Sequence, residues 1–323
     1  MNDLAARIAE EKEVIIENPR ADEKPVKMPD FSRISGSTEI MKEAMTKGRK
    51  ACLAFSGGSD SLVLLGLARY LEPRPMVIWA DSQMEYSETR EFIEKTTKTM
   101  GFDLRIAKAR IKPIEQWQKT GWPLLGKQPA REWNKKNKSA GFRLNCSECC
   151  RNLKIKPARR LSRNLGISVQ FTGQKGTQDD NLRGFRAKTD GYIKYQKRDR
   201  MWIANPLIGW TNDEIQGYIK QQDLPEHPAR SRGAKNIGCV VCGGGSQFQE
   251  SRYRILRSTW PEAWRSFMVD RAAGVIILAV KYKVDLDDAK EAVREIGGLA
   301  KIAEERPWIF DFTRITPIKK IEK

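Results

Sequence analysis

Cysteines and a glycine loop are the residues of this chain best equipped for chemistry. Cys146-Ser-Glu-Cys149-Cys150 and Cys239-Val-Val-Cys242 lie far apart in sequence, and two paired thiol motifs can close a tetrahedral thiolate site of either the zinc or the iron-sulfur kind. The spacing alone leaves both metals open. Cys52 sits inside an apolar run and reads as an inert core residue. The second feature is Phe55-Ser56-Gly57-Gly58-Ser59-Asp60-Ser61. It joins the apolar run Ala51–Phe55 to a segment of helical length and spacing, Asp60–Leu71. Glycines permit close approach, backbone N–H groups and hydroxyls converge, and the positive end of a helix lies behind them, so the loop suits a phosphate. It matches neither the Walker nor the dinucleotide pattern. Asp60 is an odd neighbour for an anion unless a cation is present, which assigns it to Mg²⁺. His227, the one histidine, lies in Leu224-Pro225-Glu226-His227-Pro228 and reads equally well as a site residue or as a rigid loop element.

These residues need elements to hold them. Short apolar runs at Ala51–Phe55, Met76–Ala80, Leu104–Ala107, Ile167–Thr172 and Trp202–Leu207 alternate with helical patterns such as Glu88–Met100 and Lys154–Asn164. That alternation predicts an α/β fold: a doubly wound, mostly parallel five-stranded sheet with helices on both faces. The loop then falls at the carboxyl end of the first strand, where open sheets bind ligands. A short helix over Ile40–Thr46 precedes it, and Thr211 with Glu214 forms a capping box for another. Lys112–Phe142, with three tryptophans, breaks the rhythm and reads as an irregular insertion over the site. Residues 1–38 read as a helical arm and linker, 39–248 as the nucleotide-binding domain with the cysteine segments, and 249–323 as a basic helical extension.

The formal charge of +18 is more than solubility needs and favours polyanions, nucleic acid included. Arg151, Lys154, Lys156, Arg159, Arg160 and Arg163 gather on one predicted helix and, with the Lys/Trp insertion and the basic tail, could serve such a partner. The longest apolar run, Ala272–Val280, is too short to span a bilayer, and the first residues lack a signal-peptide core. A cytoplasmic chain is expected, with reduced thiols and no membrane partner.

The loop Ser56–Ser61 resembles the pyrophosphate loop of the PP-loop ATP pyrophosphatases, the superfamily that includes the sulfonucleotide (PAPS/APS) reductases. Cys149-Cys150-Arg-Asn-Leu-Lys154-Ile-Lys-Pro157 resembles the double-cysteine segment of the 4Fe-4S reductases, and Ile237-Gly238-Cys239-Val-Val-Cys242 their second pair. Thr172-Gly173-Gln174-Lys175, Pro206–Thr211 and Leu224–Pro228 resemble further family motifs, so the likeness spans residues 40–245. It implies an adenine nucleotide alpha hydrolase-like fold and a nucleotide held by the loop with Asp81, Thr172 and Gly173. It also implies catalytic roles for Asp60 and Lys175, and a 4Fe-4S cluster on Cys149, Cys150, Cys239 and Cys242. Cys146 is then spare: it could replace Cys150 as a ligand or act as a sulfur-carrying catalytic thiol.

Two departures separate the chain from those reductases. No cysteine follows Cys242, although the family's nucleophile comes from a late Cys-Gly. The phosphate loop is intact where the reductases carry a degraded one, and Lys175 replaces an arginine whose bidentate fork it cannot reproduce. The resulting expectation is an enzyme that cleaves ATP to AMP and pyrophosphate for sulfur transfer, with DNA or tRNA as acceptor and a sulfur-donor or thiol-carrier protein as partner. Lys154–Pro157 also resembles the ATPases of DNA phosphorothioation. One alternative is a PAPS/APS reductase releasing sulfite; another is a zinc-stabilised nucleic-acid-binding protein. A homodimer is compatible with each.

Overall fold

The computed structural model describes residues 28–138, 142–176, 191–234, 236–243, 252–271, 273–280 and 286–298, with Thr189 and Lys301 besides. Of the expected arm and linker over residues 1–38, residues 1–27 lie outside the described residues, as does the Lys-rich tail after residue 301.

Strands β1 (Ala51–Ala54), β2 (Met76–Asp81), β3 (Leu104–Lys108), β4 (Val169–Phe171), β5 (Ile193–Gln196) and β6 (Met201–Ala204) form one sheet in the order β3-β2-β1-β4-β6-β5. β1 pairs in parallel with β2 and β4, placing it at the centre. Its sequence Ala-Cys-Leu-Ala is apolar throughout, as a strand covered on both faces requires. Six strands replace the five expected: β5 pairs antiparallel with β6 at the edge. Its half-exposed Ile-Lys-Tyr-Gln has no apolar run to betray it.

Helix α1 (Phe31–Thr46) begins nearer the N-terminus than the expected Ile40, because Asp30 caps it by accepting the Arg33 N–H at 2.8 Å. α2 (Ser59–Ala68) follows β1, α3 (Thr89–Thr99) follows β2, and the expected irregular insertion folds as α4 (Pro113–Thr120) and α5 (Lys127–Lys136). The charged residues of that insertion are its solvent face; Trp117 and Trp122 are fully buried with ring centroids 5.4 Å apart. α6 (Cys146–Cys150), a single π-helical turn (Arg151–Ile155) and α7 (Lys156–Asn164) run on without a break toward β4. α8 (Asn212–Gln221) carries the expected capping box, Thr211 with Glu214. A short α9 (Pro228–Ser231) leads to the second cysteine pair.

The remaining helices are α10 (Arg252–Thr259), α11 (Pro261–Arg265) with a π-helical turn to Asp270, α12 (Ala273–Val280) and α13 (Leu286–Ile296). Two large cores result. One lies under the sheet and takes in α1, α2, α3 and α8. The other joins Trp117, Trp122 and Leu144 to Cys149, Val240, Val241 and the C-terminal residues Tyr253, Trp264 and Phe267. The C-terminal helices are therefore part of the packing around the cysteines.

Candidate functional site

At the carboxyl end of β1 the chain turns through Ser56-Gly57-Gly58 into α2. Gly57 has φ +79°, a left-handed conformation that a side chain would strain. An added Cβ there would also lie 3.2 Å from His227 Cδ2. Hydroxyls brace the loop: Ser61 Oγ donates to Gly58 O at 2.9 Å, and Ser56 N donates to Ser61 Oγ at 3.2 Å. No side chain caps the first turn of α2, so its N–H groups face the crevice. Ser59 Oγ is buried and, among the described residues, has no hydrogen-bond partner. A buried hydroxyl without a partner beside open N–H groups suits a polar ligand.

The loop after β4 closes the other side. Gly173 lies against α2, where an added Cβ would meet the Asp60 carbonyl carbon at 3.0 Å. Lys175 is buried, with Nζ 2.8 Å from Asp60 Oδ1 and 2.6 Å from Asn212 Oδ1. Thr172 hydrogen-bonds through Oγ1 to Asn205. The structure thus brings Ser56–Ser61, Thr172, Gly173 and Lys175 together, while the Phe55 ring packs in the core against Phe92. Asp81, at the end of β2, is buried; Arg90 Nη2 bonds its Oδ2 at 2.5 Å and the Gln83 N–H its Oδ1 at 2.8 Å. Its carboxylate shapes the turn after β2.

Cys149, Cys150, Cys239 and Cys242 line a single cavity with Ser82, Met84, Trp117, Pro123, Leu153, Lys154 and Val241. None of the four is tied up in a disulfide, and neither is Cys52 elsewhere in the fold. Trp117 Nε1 donates to Cys149 Sγ at 3.2 Å, and the Ser82 hydroxyl lies 3.0 Å from Cys239 Sγ. Burial pushes the Cys149 thiol well up, with the neighbouring Cys239, Cys150 and Cys242 adding to it against the Trp117 bond. Such a thiol stays protonated unless a cation takes the proton's place. Among the described residues no three His, Cys, Asp or Glu side chains are grouped to hold a single metal ion.

Lys154 is placed differently from the expectation that put it on a basic surface. The π-helical turn rotates it inward, so that its Nζ lies 3.2 Å from the buried Glu85 Oε1. Burial acts to raise the Glu85 pKa, but the Lys154 charge and hydrogen bonds from Ser82, Lys154 and Met84 N–H hold it below the ordinary carboxylate value. Trp117, Ser82 and Glu85 were not legible as site residues; only their contacts reveal them. Cys146 opens α6, with Asn145 as N-cap accepting the Glu148 N–H at 3.1 Å.

His227 is buried behind the phosphate loop. Nδ1 accepts the Ala229 N–H at 3.1 Å and Nε2 lies 3.0 Å from Thr89 Oγ1, so it caps α9 as a rigid element. Burial lowers its pKa to about 4, with Glu88 opposing and Arg230 assisting. Cys52, fully buried in β1, has its pKa pushed up to about 12 by burial against a hydrogen bond with Ser162, which makes it a poor nucleophile.

Residues 50–244 match the model of the phosphoadenosine phosphosulfate reductase domain. Among curated relatives, the phosphoadenosine 5'-phosphosulfate reductase of Photobacterium profundum is 30% identical over 214 residues, 65% of this chain and 74% of that one. The adenosine 5'-phosphosulfate reductase of Staphylococcus haemolyticus is 29% identical over 209 residues, 64% and 76% of the two chains. Among solved structures, the phosphate complex of the Candida auris phosphoadenylyl-sulfate (PAPS) reductase aligns with TM-score 0.46 and 18% identity, covering 67% of this chain and 98% of that one.

Proposed function

Because the chain belongs to the phosphoadenosine phosphosulfate reductase family, we propose that it is an adenine-nucleotide enzyme of sulfur transfer whose Ser56–Ser61 loop holds the pyrophosphate of ATP. The observation that carries this is the complete loop, with Gly57 at φ +79°, the uncapped start of α2 and the unpartnered Ser59 hydroxyl. The loop N–H groups and Lys175 would bear the charge of the departing pyrophosphate, which is the main physical contribution. An acceptor oxygen attacks the α-phosphorus, the bond to the bridging oxygen breaks, and pyrophosphate leaves. A sulfur nucleophile then attacks the acceptor and displaces AMP.

Asp60, which pairs with Lys175 in the structure, remains the proposed carboxylate for Mg²⁺, and the ion would arrive on the nucleotide phosphates. The lining of the cysteine cavity supports a 4Fe-4S cluster: the four thiols lie on it with Lys154, the Trp117 N–H reaches the Cys149 sulfur, and the Ser82 oxygen lies beside that of Cys239. Cys149, Cys150, Cys239 and Cys242 would hold it, and when bound it supplies a soft, redox-active surface for sulfur. Cys146 is the remaining thiol of that helix and the proposed sulfur carrier.

The family match favours a second reading, reduction of a sulfonucleotide. A thiolate attacks the sulfate sulfur, the sulfur–oxygen bond to the nucleotide breaks, and a second thiol releases sulfite as a disulfide forms. Cys146 is the thiol proposed for the attack, with a thiol of another protein as the alternative. Anaerobically purified protein separates the two readings: AMP and pyrophosphate from ATP support the first, sulfite from PAPS the second. For the first, a Ser59→Ala, Asp60→Ala double variant should lose ATP turnover by about a hundredfold, comparable to removal of one oxyanion donor. Unchanged turnover would remove the loop from the mechanism.

A further inference from the structure

The outer face of α7 carries charge that neither the nucleotide nor the cysteines use. Lys156, Arg159, Arg160 and Arg163 stand at i, i+3, i+4 and i+7, one stripe of the helix, and no acidic residue occurs from Arg151 to Asn164. Asp199, buried in the β5–β6 turn, is the one carboxylate paired with the stripe among the described residues, at 2.9 Å from Arg159 Nε. That pair brings the turn, with exposed Lys197, Arg198 and Arg200, to the same helix. Arg160 reaches the Lys108 carbonyl at 3.1 Å, so the stripe adjoins the end of β3. At its other end α7 continues directly from the π-helical turn and α6, whose Cys149, Cys150 and Lys154 line the cysteine cavity.

We propose that this stripe binds the phosphodiester backbone of a nucleic acid and leads it to the rim of the cysteine cavity. The proposal rests on the sulfur-transfer reading and names its acceptor class. Like charges one helical turn apart repel, and a polyanion relieves them. Lys156 to Arg163 covers about 10 Å, roughly three phosphates of one strand measured along a duplex axis. A protein interface would place an apolar patch at its centre; the four stripe positions are all cationic.

The test measures binding of a labelled single-stranded oligonucleotide between roughly 50 and 200 mM salt. A Lys156→Gln, Arg160→Gln, Arg163→Gln variant is expected to bind at least tenfold more weakly and to lose about 2 from the slope of log affinity against log salt. A control variant on α5, Arg131→Gln, Lys135→Gln, Lys136→Gln, should keep most of the affinity, and the charge-keeping Arg160→Lys, Arg163→Lys should retain it. Equal loss in the two Gln triples, an unchanged slope, or polyglutamate binding as tightly as the oligonucleotide overturns the proposal. ATP binding by the stripe variant is measured alongside. Loss of the oligonucleotide with ATP binding intact supports the stripe, whereas ATP turnover absent from wild type that still binds the oligonucleotide overturns only the ATP-dependent activation.

Discussion

Single residues set the tolerances of this site. His227 packs behind the phosphate loop and is held neutral, its pKa lowered by burial from 6.5 to about 4. In the unfolded chain the imidazole takes up a proton near its ordinary value, so between about pH 6.5 and 4 the unfolded state binds more protons and stability falls as pH falls. Above that window the contribution is fully present. Melting temperature should therefore decline across this range in wild type more steeply than in His227→Gln, which has no proton to gain there; parallel curves would show that His227 does not set the slope. Lys175 and Asp60 carry a related lesson, since the buried ammonium is held at the crevice by its pair with a loop carboxylate before any ligand arrives. The residue types of the loop were legible because phosphate binding needs few of them, whereas the Lys175–Asn212 contact at 2.6 Å joins loops that no local pattern connects.

Elements decide whether residues far apart in sequence meet. The segment after Cys242 is pinned to the one before α5: Gly243 N donates to Pro123 O at 2.7 Å, and an added Cβ at Gly243 would lie 1.9 Å from the Leu124 carbonyl oxygen. Gly243→Ala must push these backbones apart, at a cost of about 1–3 kcal/mol. Because Cys242 adjoins the clash, iron per chain after anaerobic purification should fall well below wild type; equal iron and an equal melting temperature would show that the segments yield freely. The sheet strands and the capping box at Thr211 were readable because their signals are local. β5 was not, being a polar edge strand, and α4 and α5 were hidden because surface lysines mask two buried tryptophans. Lys154 was misplaced because regular helical periodicity does not foresee a π-helical turn.

At the scale of the whole molecule, the C-terminal helices and the cysteines share one core. Phe267 meets Trp117 edge-on at 5.5 Å, Tyr253 Oη donates to Val241 O at 3.2 Å, and Trp260 Nε1 donates to Glu88 at 3.0 Å. A chain ending at residue 251 would bare this apolar surface beside the thiols. Its soluble yield should drop sharply, and what remains should bind a hydrophobic dye; a soluble, dye-silent fragment would mean that α10–α13 are dispensable. The same arrangement fixes an order of events during synthesis. Both cysteine pairs leave the ribosome before the helices that close over them, and at ordinary elongation rates the stretch from Cys242 to the end of α13 takes roughly 3–11 s to make. A cluster of the proposed kind would have its easiest access to these thiols in that interval, so iron and sulfide supplied during translation, rather than afterwards, would govern how much of the protein takes it up.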